Sequence, residues 1–117
     1  MNEEEKANRE YRLYEFLRRA SLDDSILLRK DDWKHVEQEI HALWPDFGRK
    51  LYEYGVNLSD TERRICWMAR MNIPPLGMAT ILKRTKPAIS LARSRLYKKL
   101  HGTPGTGQML DAFIRRL

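Results

Sequence analysis

Apolar residues in this 117-residue chain recur at intervals of three and four almost from end to end. An α-helix returns a side chain to the same face after about 3.6 residues, whereas a half-buried strand alternates every second residue. Val, Ile and Thr are few, and no stretch alternates apolar and polar for long. The period therefore predicts an all-α protein. Leu13, Phe16, Leu17 and Ala20, flanked by Tyr11 and Tyr14, make one apolar stripe on a first helix starting near Glu3. Residues 21–30 read as a linker with a short turn. Trp33, Val36, Ile40 and Leu43 then mark an amphipathic helix with acids in its first turn, where they complement the helix dipole. Pro45 suits the start of a third helix carrying Phe47, Leu51 and Tyr54, and Gly55 is expected to end it.

The second half is better punctuated. Ser59-Asp-Thr-Glu62 has the form of a capping box and opens a helix that should bury Ile65, Met68 and Ala69. Asn72 can take the left-handed conformation that closes it. Pro74-Pro75 lead into a short helix, Leu76–Leu82, with Met78, Ala79 and Leu82 facing inward. Thr85 is a suitable N-cap, Pro87 is tolerated in the first turn, and a long helix follows to about Leu100. At about 100° per residue, Ala88, Ile89, Ala92, Leu96 and Leu100 share a core-facing arc. The opposite arc holds Pro87, Ser90, Leu91, Ser94 and Lys98, with Arg95 and Tyr97 on its flanks. A Gly-rich loop, 102–107, precedes a last helix over 107–117.

Charge divides the chain where the helix pattern does not. The whole carries a net charge of +6 and a pI near 9.7. Residues 1–57 hold ten basic and thirteen acidic side chains, whereas residues 58–117 hold twelve basic and only Asp60, Glu62 and Asp111 as acids. The first segment is therefore −3 and the second +9. Between Lys83 and Lys99 there are seven basic residues and no acid. A solvated helix face normally mixes signs, because opposite charges at i,i+4 support the helix. An unmixed run that weakens the helix points to a polyanionic partner. Small and polar residues near the helix start, followed by long basic ones, suit a helix that enters the major groove and reaches phosphates.

The spacing across residues 58–100 resembles the LuxR/GerE-type helix-turn-helix. Leu58-Ser-Asp-Thr-Glu-Arg63, then Met78-Ala79 with Leu82, then Thr85 with Ala88-Ile89, then Arg95-Leu-Tyr-Lys-Lys-Leu100 follow that family's pattern without a gap. The helix at 107–117 stands in the place of the family's fourth helix. Two positions depart from the pattern. Arg84 stands where an apolar residue usually packs under the turn, and Gly77 interrupts the brace helix where a polar residue is common. The resemblance implies a bacterial, cytoplasmic, nucleoid-associated transcription regulator that binds double-stranded DNA as a homodimer, with helix 86–100 in the major groove. Ser90, Leu91 and Ser94 would meet base edges, with Arg95 beside them, while Lys83, Arg84, Lys86 and Lys98 would hold phosphates.

The expected organisation is thus a helical extension, 1–57, packed on a four-helix DNA-binding module, 58–117. The upstream segment, with Asp32-Trp33 and Trp44-Pro-Asp-Phe47, is similar to the stretch that precedes such modules in large bacterial sensor-regulators. About 57 residues are too few for a typical sensor domain, so the input is expected from another chain or another part of this one. The stripe on the first helix and the last helix are the candidate dimer surfaces. Two other readings stay open: a sigma-factor region 4-like module contacting RNA polymerase and promoter, and a helical adaptor for an acidic protein.

Other features carry less. The glycines of 102–107 lack the Lys and Ser/Thr of a phosphate loop. His35, His41 and His101 share no metal spacing, and the pairs Asp23-Asp24 and Asp31-Asp32 are read as acids at helix starts. Cys66, the lone cysteine, is expected to be a buried structural thiol. Trp33, Trp44 and Trp67 are core anchors, although Trp67 falls off its helix's apolar face and should pack on the N-terminal segment or a partner. No nucleophile, base and oxyanion site assembles, so no catalytic residue, cofactor or metal is expected. No apolar run reaches the roughly 20 residues that span a bilayer, and no membrane contact is expected.

Overall fold

Side chains at the helix ends set most of the segment boundaries. Ser59 accepts from the Glu62 N–H while the Glu62 carboxylate accepts from the Ser59 N–H at 2.8 Å, closing the capping box. Thr85 and Thr106 each accept from the N–H three residues on, Ala88 and Met109 respectively. Asn72 adopts φ 60° at the end of its helix, as its side chain permits. The computed structural model describes residues 1–54 and 57–117. Among them lie seven helices and no strand: α1 (Glu3–Leu22), α2 (Lys30–Leu43), α3 (Pro45–Tyr54), α4 (Asp60–Arg70), α5 (Pro75–Leu82), α6 (Lys86–His101) and α7 (Gly107–Arg116). The expected stop at Gly55 lies outside the described residues. Asp31 and Asp32 occupy the first turn of α2, and Asp32 accepts from the Arg29 N–H. Asp23 and Asp24 do not start a helix. They follow α1, and the Asp23 carboxylate holds a turn by accepting from the Ser25 N–H and hydroxyl.

One apolar core runs through both charge segments. Leu17 of α1, Ile40 of α2, Ile65 and Met68 of α4, Met78 of α5, Leu96 of α6 and Ile114 of α7 are fully buried in it. Each such side chain contributes about 1.5–3 kcal/mol relative to exposure. The halves thus differ in charge but share their core. Trp67 explains part of the join. It is buried and its ring lies 6.4 Å from that of Trp33, so it packs on the N-terminal segment. The Arg64 guanidinium sits 5.1 Å over Trp33, and that of Arg70 lies 3.7 Å over the half-buried Trp44. Cys66 is a free, buried thiol whose pKa burial pushes far up, which suits a packing role.

The stripe on α1 is spent inside this core. Leu13, Leu17 and Ala20 are buried, Phe16 is partly so, and α1 lies along α5 and meets α2. The last helix is used likewise, with Leu110 and Ile114 fully buried where α7 packs on α4 and α6. Most of the apolar side chains expected at the two dimer surfaces are thus taken up within the chain, while Tyr11 and Met109 stay exposed. Gly77 also acquires a reason. A Cβ there would come within 2.9 Å of Ser21 Cβ and 3.0 Å of Ile73 Cγ2, so only glycine lets α1 approach α5 this closely. The brace helix α5 is consequently held between α1 and α6.

Candidate nucleic-acid interface

The α5 and α6 helices are joined by Lys83-Arg84-Thr85, a turn of three residues. Lys83 closes α5 in the left-handed region at φ 57°, and the Arg84 N–H donates back to the Ala79 carbonyl. For a residue with a Cβ this conformation costs about 1–2 kcal/mol, and the neighbouring contacts hold it. The Lys83 ammonium reaches across to the Asp24 carbonyl at 2.5 Å, tying the turn to the loop after α1. Ser25 hydrogen bonds chiefly, with Lys83 nearby, hold the Asp23 carboxyl below its ordinary pKa. Lys83 is therefore exposed but already engaged. Arg84 is exposed, whereas Ile81 and Leu82, just before the turn, are buried and half-buried respectively.

Along α6 the predicted arcs largely hold. Ile89, Leu96 and Leu100 are buried, with Ala88 and Ala92 at the margin. The outer arc exposes Pro87, Ser90, Leu91, Arg95 and Lys98, and Lys86 is exposed at the first turn. Ser94, which lies within this arc, is half-buried. Tyr97 departs from expectation: it is only 5% exposed, stacked on His101 and edged by Phe113. It is a core residue. At 100° per residue it lies within about 20° of Ser90, on the flank of the outer arc, and its burial comes from α7, whose Phe113 packs against it.

The seven basic residues of this region fall into two groups. Arg93 is buried and its guanidinium pairs with Asp111 of α7, with side-chain exposures of 6% and 15%. Its guanidinium lies against Gly107, where a Cβ would meet Arg93 Cζ at 2.6 Å. Lys99 bonds the Glu62 carboxylate at 2.9 Å and the Asn57 carbonyl at 2.8 Å. Burial acts to raise the Glu62 carboxyl, but bonds from Ser59 and Lys99 outweigh it and its pKa is lowered. With Lys83 held by Asp24, the cations that make no ion pair or side-chain hydrogen bond among the described residues are Arg84, Lys86, Arg95 and Lys98. Asp60, the remaining acid of the second segment, pairs with Arg63 on α4. Every acid of residues 58–117 is thus matched to a base off the outer arc of α6.

Sequence reasoning counted Arg93 and Lys99 as part of one basic run. Their partners, 18 and 37 residues away, are visible only after folding. The helical wheel alone could have separated Arg93, since at 100° per residue it lies about 20° from Leu100, at the edge of the core arc. Among the described residues, no group of three or more His, Cys, Asp or Glu is placed to hold a metal ion, and no helix is long and apolar enough to cross a membrane. His35 and His41 lie exposed on α2, and His101 exposed at the end of α6. No family model matches this chain, and no match was found among curated proteins or solved structures.

Proposed function

We propose that this chain is the DNA-binding module of a bacterial transcription regulator of the LuxR/GerE helix-turn-helix kind, docking α6 in the major groove of duplex DNA. One observation supports the reading most: the outer arc of α6 and its approach carry Arg84, Lys86, Arg95 and Lys98 without acidic partners, around small side chains that allow close approach. Each cation that meets a phosphate releases condensed counterions, so the face steers a duplex inward and binds it in a salt-dependent way. The 16 residues of α6 give an axial length of about 24 Å, enough to cross the groove with phosphates at both ends. The brace α5, held from behind by α1, keeps α6 from tilting. Because Lys83 is tied to Asp24, it supports the turn more than it holds phosphate.

Titration with random and selected duplexes at two salt concentrations tests this. Affinity should fall steeply with salt, and one selected sequence should bind far more tightly than the random pool. Replacing Lys98 with Gln should weaken binding to all sequences and lower the salt slope by about one. If Lys86, Arg95 and Lys98 can all be neutralised without loss of affinity, the groove assignment is wrong. Tight binding to an acidic protein with no affinity for duplex would favour the adaptor reading instead. Sedimentation of the complex would count copies per site.

A further inference from the structure

Leu91 stands out on the proposed reading face. It is 50% exposed at the middle of the outer arc of α6, beside Ser90 and Ser94 and one turn from Pro87. A leucine in that place is not there for the core, which Ile89, Leu96 and Leu100 fill from the opposite side. The unpaired cations frame it along the helix: Arg84 and Lys86 toward the start, Arg95 and Lys98 toward the end. Lys86 and Lys98 are separated by about 18 Å of axial rise, against a major groove about 12 Å wide. Cations placed so reach the groove walls, and the centre is left to Leu91 and the two serines. Serine hydroxyls accept or donate to any base and discriminate little. The base edges of the major groove offer one strongly apolar group, the C5-methyl of thymine.

We propose that Leu91 reads a thymine C5-methyl, so that the preferred site of this chain carries a thymine beneath the middle of α6. The proposal rests on the DNA-binding reading above. Its test takes the best duplex selected from a random pool and replaces each thymine singly with deoxyuridine, which lacks only that methyl. At one or two positions the replacement should weaken wild-type binding about fourfold, the worth of one buried methyl group. Leu91→Ala, a change outside the core, should be insensitive to deoxyuridine at those positions while keeping the wild-type salt slope. Two results overturn the assignment and leave DNA binding intact: wild type indifferent to deoxyuridine everywhere, or Leu91→Ala retaining full sensitivity. Failure of wild type to bind any duplex in a salt-dependent way would instead remove the DNA reading, and the thymine assignment with it.

Discussion

The two faces of α6 use the same chemistry to opposite ends. On the inner face Arg93 is buried against Asp111, and Lys99 on the flank is tied to Glu62. On the outer face Lys86, Arg95 and Lys98 stand in solvent without an acid. A buried cation needs a partner because desolvation is expensive, and a pair of this kind secures one helix against another. An exposed cation needs none, and leaving it unpaired keeps its field available to a ligand. Charge count along the chain therefore says little until each base is assigned to a face. What distinguishes Arg93 from Arg95 is two positions on a helix, roughly 200° of rotation.

The strongest way to break the inner face is to remove its acid. Asp111→Ala should destabilise the fold by about 3–5 kcal/mol, since it leaves the Arg93 charge buried and alone. Urea unfolding measures this, and a loss under 1 kcal/mol would mean that the pair is solvated. Replacing both partners, Arg93→Met with Asp111→Leu, should recover most of the loss, because Arg93 Nε and Asp111 Oδ1 are already buried without a partner of their own. A gentler disturbance is Gly107→Ala. Its Cβ would press on the Arg93 guanidinium, and overpacking should outweigh the better helix propensity to give a loss of about 1–2 kcal/mol.

The Lys99–Glu62 tie should be visible in the pH dependence of stability. The folded carboxyl has a pKa below its ordinary 4.5, so the unfolded chain binds its proton first as pH falls. The contribution is therefore present above about pH 4.5 and is lost as pH drops through the folded value. With both side chains partly exposed, Glu62→Gln should cost about 0.5–1 kcal/mol at neutral pH and flatten the acid limb of the stability curve. The smallest stability effects belong to the outer face. Lys86→Gln, Arg95→Gln and Lys98→Gln should each move stability by less than about 0.5 kcal/mol while reducing the salt dependence of duplex binding. A large destabilisation by any of the three would show that the outer face is structural.

The helix pattern and the caps were legible in the sequence because both are local. A capping box needs residues three apart, and Ser59 with Glu62 closes it by itself. Thr85 and Asn72 likewise act within a turn of where they sit. The outer arc of α6 was readable for the same reason, as a consequence of period. Long-range pairing was not. Gly77 reads as an interruption of α5 until Ser21 is found against it, and the stripe of α1 reads as free until α5 covers it.

By itself, then, the sequence determined that this protein is all helix, where most helices begin and stop, and that its basic charge gathers in the second segment. These follow from spacing, capping and composition, which need no neighbour beyond a turn. Only the tertiary structure decided which cations are spent and which are free, that the apolar stripe of α1 is buried in the chain's own core, and that Tyr97 lies inside. Those outcomes turn on contacts between residues far apart in the chain, where burial sets the energetic penalty of an unpaired charge and packing sets which face water can reach.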